Sequence, residues 1–192
     1  MQNLVISPPA LRRHPISVEM YHIMAEQGAF GPEDRVELIG GEIIDMSPIG
    51  TLHARCVDFL NRFLADLAGG EYIVRVQNPI VLNDDTEPQP DVTILRFRED
   101  FYKFEAPGPD DVLLVIEVSD TSYDFDRKAK LPRYAAAEIA ETWLIDIISE
   151  LVEVHFEPKE STYGTAKIYQ RGGTILSTVL PSLSLSVNEL FG

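Results

Sequence analysis

Apolar positions along the chain recur with two different periods, and the switches between them mark out its elements. Ser17 precedes Val18 to Gln27, which reads as a short helix with a serine cap. Val36 to Ile39 and Glu42 to Met46 are short apolar-rich runs separated by Gly40-Gly41, a pair suited to a two-residue hairpin turn at positive φ. From Thr51 the period lengthens: His53, Val57, Leu60, Leu64 and Leu67 form one helical stripe, and Gly69-Gly70 ends it. Tyr72 to Leu82, rich in Val and Ile, predicts a long strand, Asn83 to Gln89 a polar turn, and Asp91 to Leu95 a further strand.

Residues 97–111 are charged and contain Pro107, Gly108 and Pro109, a pattern that predicts a mobile loop. Val112 to Val118 is the most apolar run in the chain and predicts a central strand buried on both faces. A basic helix is expected over Tyr123 to Ala137, followed by strands over Thr142 to Ile147, Leu151 to Phe156, Ala166 to Tyr169 and Ile175 to Leu180. The order is that of a mixed α/β (α+β) fold with one strand-helix-strand step around the central run. The 192 residues suit a single domain over 17–192, preceded by an arm over residues 1–16 that holds three of the thirteen prolines.

Composition adds exclusions. The hydrophobic share of 45% and charged share of 24% are ordinary for a globular protein. No apolar run approaches the roughly 20 residues that cross a bilayer, so no membrane partner is expected. The first residues lack the basic and apolar halves of a signal peptide. Cys56 is the single cysteine, which rules out an intrachain disulfide and a cysteine zinc cluster and fits an inert core thiol. The expected compartment is the cytoplasm. The net charge of −15 stands against extensive phosphate contact, yet Arg127, Lys128, Lys130 and Arg133 fall within seven positions. An acidic body with one basic patch fits metal-assisted contact with phosphates and equally fits a protein that never touches nucleic acid.

Two carboxylates sit at strand boundaries. Asp91 opens Val92-Thr93-Ile94-Leu95, and Glu117 interrupts the apolar run near its C-terminal end. A carboxylate inside so apolar a run is costly to bury unless it is paired or holds a metal. On neighbouring strands, Asp91 and Glu117 meet on one side of the sheet and, with carbonyls and waters, offer oxygen ligands suited to Mg²⁺ or Mn²⁺. Lys130 lies thirteen residues beyond Glu117, on the helix that a right-handed crossover carries back over the sheet. There its ammonium can orient a water or steady charge on a phosphate. The plainer alternative is an i,i+4 surface pair between Asp126 and Lys130.

Pro90-Asp91, Ile116-Glu117-Val118-Ser119, Asp126-Arg127-Lys128-Ala129-Lys130, Tyr134 and Thr142-Trp143-Leu144-Ile145-Asp146 together resemble the Uma family of restriction endonucleases, within the PD-(D/E)XK superfamily. Glu37-Leu38-Ile39-Gly40-Gly41-Glu42, Met46, Ser47-Pro48, Gly50, His53 and Gln77 before Pro79 match the same family, so the likeness spans roughly residues 17–190. The resemblance implies a restriction-endonuclease-like mixed central sheet of four core strands, flanked by helices and joined by extra strands. It also implies phosphodiester hydrolysis, with Asp91 and Glu117 binding a divalent ion and the Val118 carbonyl as a third ligand.

The superfamily has lysine two residues after the glutamate, where this chain has Ser119. The family pattern, four residues before Tyr134, points to Lys130 as the replacement, with Lys128 in reserve. Pro132 leaves the lysine's direction open, since a proline inside a helix kinks it. Supporting roles fall to Glu37, which the hairpin register opposes to Ile44, to His53 at the head of the apolar stripe, and to Gln77. Glu42 would share the face of Glu37. Each of these also has a purely structural reading, and Tyr134 and Trp143 are expected to pack.

The expected activity is thus that of a Mg²⁺- or Mn²⁺-dependent endonuclease acting on DNA, with a homodimer plausible for cutting two strands. A catalytically vestigial binding or assembly module, and a phosphodiesterase acting on RNA or small substrates, stand as alternatives.

Overall fold

A computed structural model describes residues 13–192, so the expected N-terminal arm lies largely outside the described residues. Helix α1 (Val18–Glu26) starts at Ser17, whose Oγ accepts from the Met20 amide at 3.2 Å. Strands β1 (Val36–Ile39) and β2 (Glu42–Asp45) form an antiparallel hairpin in the register its two-residue turn requires, with Ile39 opposite Glu42 and Glu37 opposite Ile44. Gly40 and Gly41 both take left-handed φ, +61° and +74°, which residues with a Cβ rarely adopt. Helix α2 (Thr51–Ala68) buries Cys56, Val57, Leu60 and Leu64 and ends at Gly69 in the left-handed region.

Strands β3 (Tyr72–Val76), β4 (Val92–Arg96), β5 (Val112–Ser119), β6 (Glu141–Asp146), β7 (Leu151–Lys159) and β8 (Thr162–Tyr169) form one mixed sheet in that spatial order. Within it β5 and β6 run parallel and the other neighbours antiparallel. A parallel pair needs a crossover, and here it carries α3 (Tyr123–Phe125), a wide π turn (Asp126–Lys130) and α4 (Leu131–Ala136). Helix α2 covers one face, where Leu60 and Leu64 meet Val92, Ile94, Leu114, Ile116 and Trp143. The crossover covers the other, where Tyr134 and Ile139 meet Leu95 and Val115. A second small ladder joins β9 (Thr174–Leu176) to β10 (Ser184–Ser186), and α5 (Val187–Phe191) returns Val187 and Leu190 to the first core. The mixed sheet between helices is the architecture that the family resemblance implies.

The differences are local. The strand expected over Tyr72 to Leu82 stops at Val76, because Gln77 turns to φ +51°. The apolar residues beyond it pair back on the next segment instead, with Ile80 N on Pro88 O and Leu82 N on Thr86 O. The helix expected over Tyr123 to Ala137 is three short pieces. Pro132 has no amide hydrogen and its ring crowds the carbonyl four residues earlier, and the turn just ahead of it widens. Residues 97–111 form turns rather than strand or long helix, but Tyr102 is buried there and its hydroxyl donates to Arg96 O at 2.8 Å, tying the segment to the body. The strand expected over Ile175 to Leu180 ends at Leu176.

Leu60 is fully buried, whereas Leu52 on the same helix is 63% exposed. Leu60→Ala should therefore cost about 2–5 kcal/mol in urea unfolding, and Leu52→Ala less than about 0.5 kcal/mol. Equal losses from the two would mean that α2 does not pack in this orientation.

Candidate active site

The site forms where β4 begins and β5 ends. The ladder pairs Val92 with Ile116, so the preceding Asp91 falls beside Glu117. The Asp91 amide lies 3.4 Å from Glu117 Oε2, and Asp91 Oδ2 accepts from the Val118 amide at 2.9 Å, continuing the ladder through a side chain. Both carboxylates are buried, at 8% and 2% exposure. Asp91 Oδ1 is held from two sides, by Gln77 Nε2 at 3.2 Å and by His53 Nε2 at 3.1 Å.

Lys130 arrives from the crossover. Its Nζ lies 3.0 Å from Glu37 Oε2, 3.3 Å from Glu117 Oε1 and 3.8 Å from Asp126 Oδ1. The i,i+4 relation to Asp126 is present, but both partners are buried, so it is no surface pair. Glu37 also accepts from the Gln89 amide at 3.1 Å, which ties the β1–β2 hairpin to the segment entering β4. Asp126 Oδ2 accepts from Ser119 Oγ and Ser122 Oγ, each at 2.8 Å. Ser119 thus helps to fix the carboxylate that lies 3.8 Å from the Lys130 ammonium. Tyr134 does pack, fully buried, and its hydroxyl also donates to Glu117 Oε1 at 2.5 Å.

Several candidates fall elsewhere. Lys128 is exposed and pairs with Asp124 at 2.9 Å, away from the carboxylates. Glu42 is also exposed and pairs with Arg13. Trp143 sits in the core with its Nε1 on Glu141 Oε1 at 2.7 Å. Cys56 is buried, which pushes its thiol up to about 12 and leaves it unreactive. Asp126, Tyr134's hydroxyl and Arg35 are site features that the residue pattern did not single out. The signals were the i,i+4 spacing of Asp126 to Lys130, and the two-residue alternation that puts Arg35 on the face of Glu37.

The side chains converge on a cleft of about 280 Å³ whose charged lining includes Glu37, Asp45, Asp91, Glu117, Asp120 and Asp126 against Arg35 and Lys130. Burial pushes the Glu117 carboxyl up to about 8; Lys130 opposes this, while Asp126, Asp91 and Glu37 add to it. Burial works against the Lys130 cation, but Glu117, Glu37 and Asp126 outweigh it and hold the ammonium well above its ordinary pKa. Burial likewise disfavours the His53 cation, and the contact with Asp91, aided by Asp120, reverses the sign and raises its pKa.

Among the described residues no three Asp, Glu, His or Cys side chains form a closed metal cage. Asp91 and Glu117 nevertheless suit a hard cation. An ionised carboxylate offers about four acceptor positions, and the contacts above use three on each. Two carboxylate oxygens completed by carbonyl and water is a donor set for Mg²⁺ or Mn²⁺ rather than for zinc.

The six-stranded mixed sheet between helices matches a solved fold. A crystal structure described as "a putative nuclease belonging to DUF820 from Anabaena variabilis ATCC 29413", at 1.96 Å resolution, superposes with a TM-score of 0.73. It is 17% identical, and the match covers 92% of this chain and 98% of that one. No curated protein matches the chain. The model of the Uma2 family, described as "Putative restriction endonuclease", matches residues 18–188, and the chain belongs to that family.

The raised Glu117 pKa has a consequence for stability. Between its ordinary 4.5 and about 8, metal-free native protein keeps a proton that the unfolded chain has released. Its contribution is therefore complete below about pH 4.5 and is lost as pH rises through about 8. In chelator-treated samples, wild type should lose urea stability relative to Glu117→Gln between pH 5 and pH 8. A gap between the two that stays constant over this range would show that Glu117 is not perturbed.

Proposed function

We propose that this protein is a Mg²⁺- or Mn²⁺-dependent endonuclease that hydrolyses phosphodiester bonds of DNA at the cleft around Asp91 and Glu117. The observation that carries this reading is the meeting of two buried carboxylates from adjacent strands with a buried ammonium 3.3 Å from one of them. Family membership supports the nuclease class. Asp91, Glu117 and the Val118 carbonyl would hold the ion, which supplies positive charge against the phosphoryl oxygens when bound.

The remaining roles follow from the contacts. Glu37, Glu117 and Asp126 keep Lys130 protonated, so it donates hydrogen bonds and opposes negative charge rather than accepting a proton. It orients the attacking water and steadies the charge that builds on the phosphate. Gln77 and His53 fix the orientation of Asp91, and Tyr134 that of Glu117. Cutting both strands of a duplex calls for two clefts, so the proposal includes a homodimer.

Purified protein should nick plasmid DNA with Mg²⁺ or Mn²⁺, and Asp91→Ala should abolish nicking. Lys130→Met, checked for folding by circular dichroism, should lower kcat by about 10²–10³-fold, and Lys128→Met should stay within about twofold of wild type. Nicking that persists unchanged in Asp91→Ala would end the assignment. The net charge of −15 is the observation that favours the rival reading, a binding module without catalysis. Calorimetry with Mn²⁺ separates them: micromolar binding that is lost in Glu117→Ala belongs to a working site, and absence of binding to a vestigial one.

A further inference from the structure

The cleft contains a cation that the carboxylate cluster does not use. Of its two lysine and arginine side chains, Lys130 lies within 4 Å of three carboxylates. Arg35 lines the same cleft, yet its guanidinium pairs with no described carboxylate. Its side-chain partner is a carbonyl, with Nη1 3.5 Å from Ser47 O, at the limit of a hydrogen bond.

The backbone fixes where the Arg35 side chain begins. Arg35 immediately precedes β1, and its carbonyl accepts from the Met46 amide at 2.8 Å, extending the hairpin by one bond. Strand alternation puts Arg35 on the face of Glu37, which reaches Lys130. Arg35 therefore enters the cleft along the same wall as Glu37, two residues nearer the strand's start. It is only partly buried, whereas Glu37 and Lys130 are buried, so it stands on the solvent side of the cluster.

We infer that Arg35 grips a phosphate of the substrate strand, its planar fork taking two non-bridging oxygens at the mouth of the cleft. An arginine matches this geometry, whereas a lysine would supply a point charge alone. The assignment also answers the electrostatic difficulty of the site. A polyanion approaching six acidic lining residues needs a positive group before it reaches the carboxylates, and Arg35 on the solvent side is so placed. The inference rests on the nuclease reading for the identity of the substrate, but its test does not depend on catalysis.

That test is binding of a short fluorescein-labelled DNA oligonucleotide, single-stranded and duplex, by anisotropy over a range of salt concentrations. Ca²⁺ replaces Mg²⁺ to suppress hydrolysis. Arg35→Gln should weaken binding about tenfold and reduce the slope of log affinity against log salt by about 0.7–0.9, the loss of one phosphate contact. Arg35→Lys should keep the slope but recover only part of the affinity. Mn²⁺ titrations of all three proteins should coincide.

Unchanged affinity and slope in Arg35→Gln would overturn the inference, as would failure of wild type to bind either form of the probe. A parallel loss of Mn²⁺ affinity would also overturn it, by showing that Arg35 acts on the carboxylates instead. Arg35-dependent binding by a wild-type protein that never cuts DNA would sink the hydrolase reading and leave the phosphate grip standing.

Discussion

Four carboxylates and one ammonium, all buried within one cleft, set the terms for everything around them. Glu37, Asp91, Glu117 and Asp126 are 2–8% exposed, and Lys130 among them is 5% exposed. Carboxylates brought together in a low dielectric repel one another and lose their hydration. Lys130 offsets part of that cost, and it draws on three elements at once: the first hairpin through Glu37, the central strand through Glu117 and the crossover through Asp126. One ammonium thus fixes how a small hairpin and a broken helix sit against the end of the main sheet. Removing a single partner of such a buried set typically costs about 3–5 kcal/mol, because the others are left uncompensated.

The surrounding chain carries many of its irregularities near this cluster. The Gly40-Gly41 turn projects the hairpin so that Leu38 exchanges backbone bonds with Glu87, and Gly41 N reaches Asp85 O at 2.7 Å. Gln77 leaves β3 at positive φ, which frees its amide side chain to reach Asp91. The π turn carries Asp126 and Lys130 inward together, while Arg127 and Lys128 stay on the surface. Regular strands and helices supply the rigid frame, and the departures from regularity deliver the side chains.

That division explains what could be read from the residues. Glu117 stood out because a carboxylate inside Val112 to Val118 contradicts its surroundings, whereas Asp91 could join it only if its strand were a neighbour, which the β4–β5 ladder supplies. The hairpin register followed from turn chemistry alone. Lys130 was legible only through resemblance to a family pattern. Nothing in local propensity distinguishes it from Lys128 two residues earlier, and the choice depends on a turn widened ahead of Pro132. The break at Gln77 was hidden because Ile80, Val81 and Leu82 continue the apolar pattern of a strand, while long-range contacts decide their partners. Asp126 and Arg35 carried only their spacing to Lys130 and Glu37 as a signal, since their meaning lies in what other segments bring to them.

The acidity of the cleft finally bears on how metal and substrate would depend on each other under the proposed reading. Six acidic lining residues against two basic ones leave a deficit that neither Arg35 nor Lys130 removes. A divalent ion and a phosphate would then each relieve the electrostatic cost of the other. Whatever factor the ion adds to phosphate affinity, the phosphate must add to ion affinity. The proton on Glu117 enters the same balance, because a carboxyl pushed up to about 8 must release it before coordinating. A net charge of −15 is then no contradiction in a phosphodiesterase. Under that reading it would make nucleic-acid binding conditional on metal and would keep the metal-free protein off polyanions.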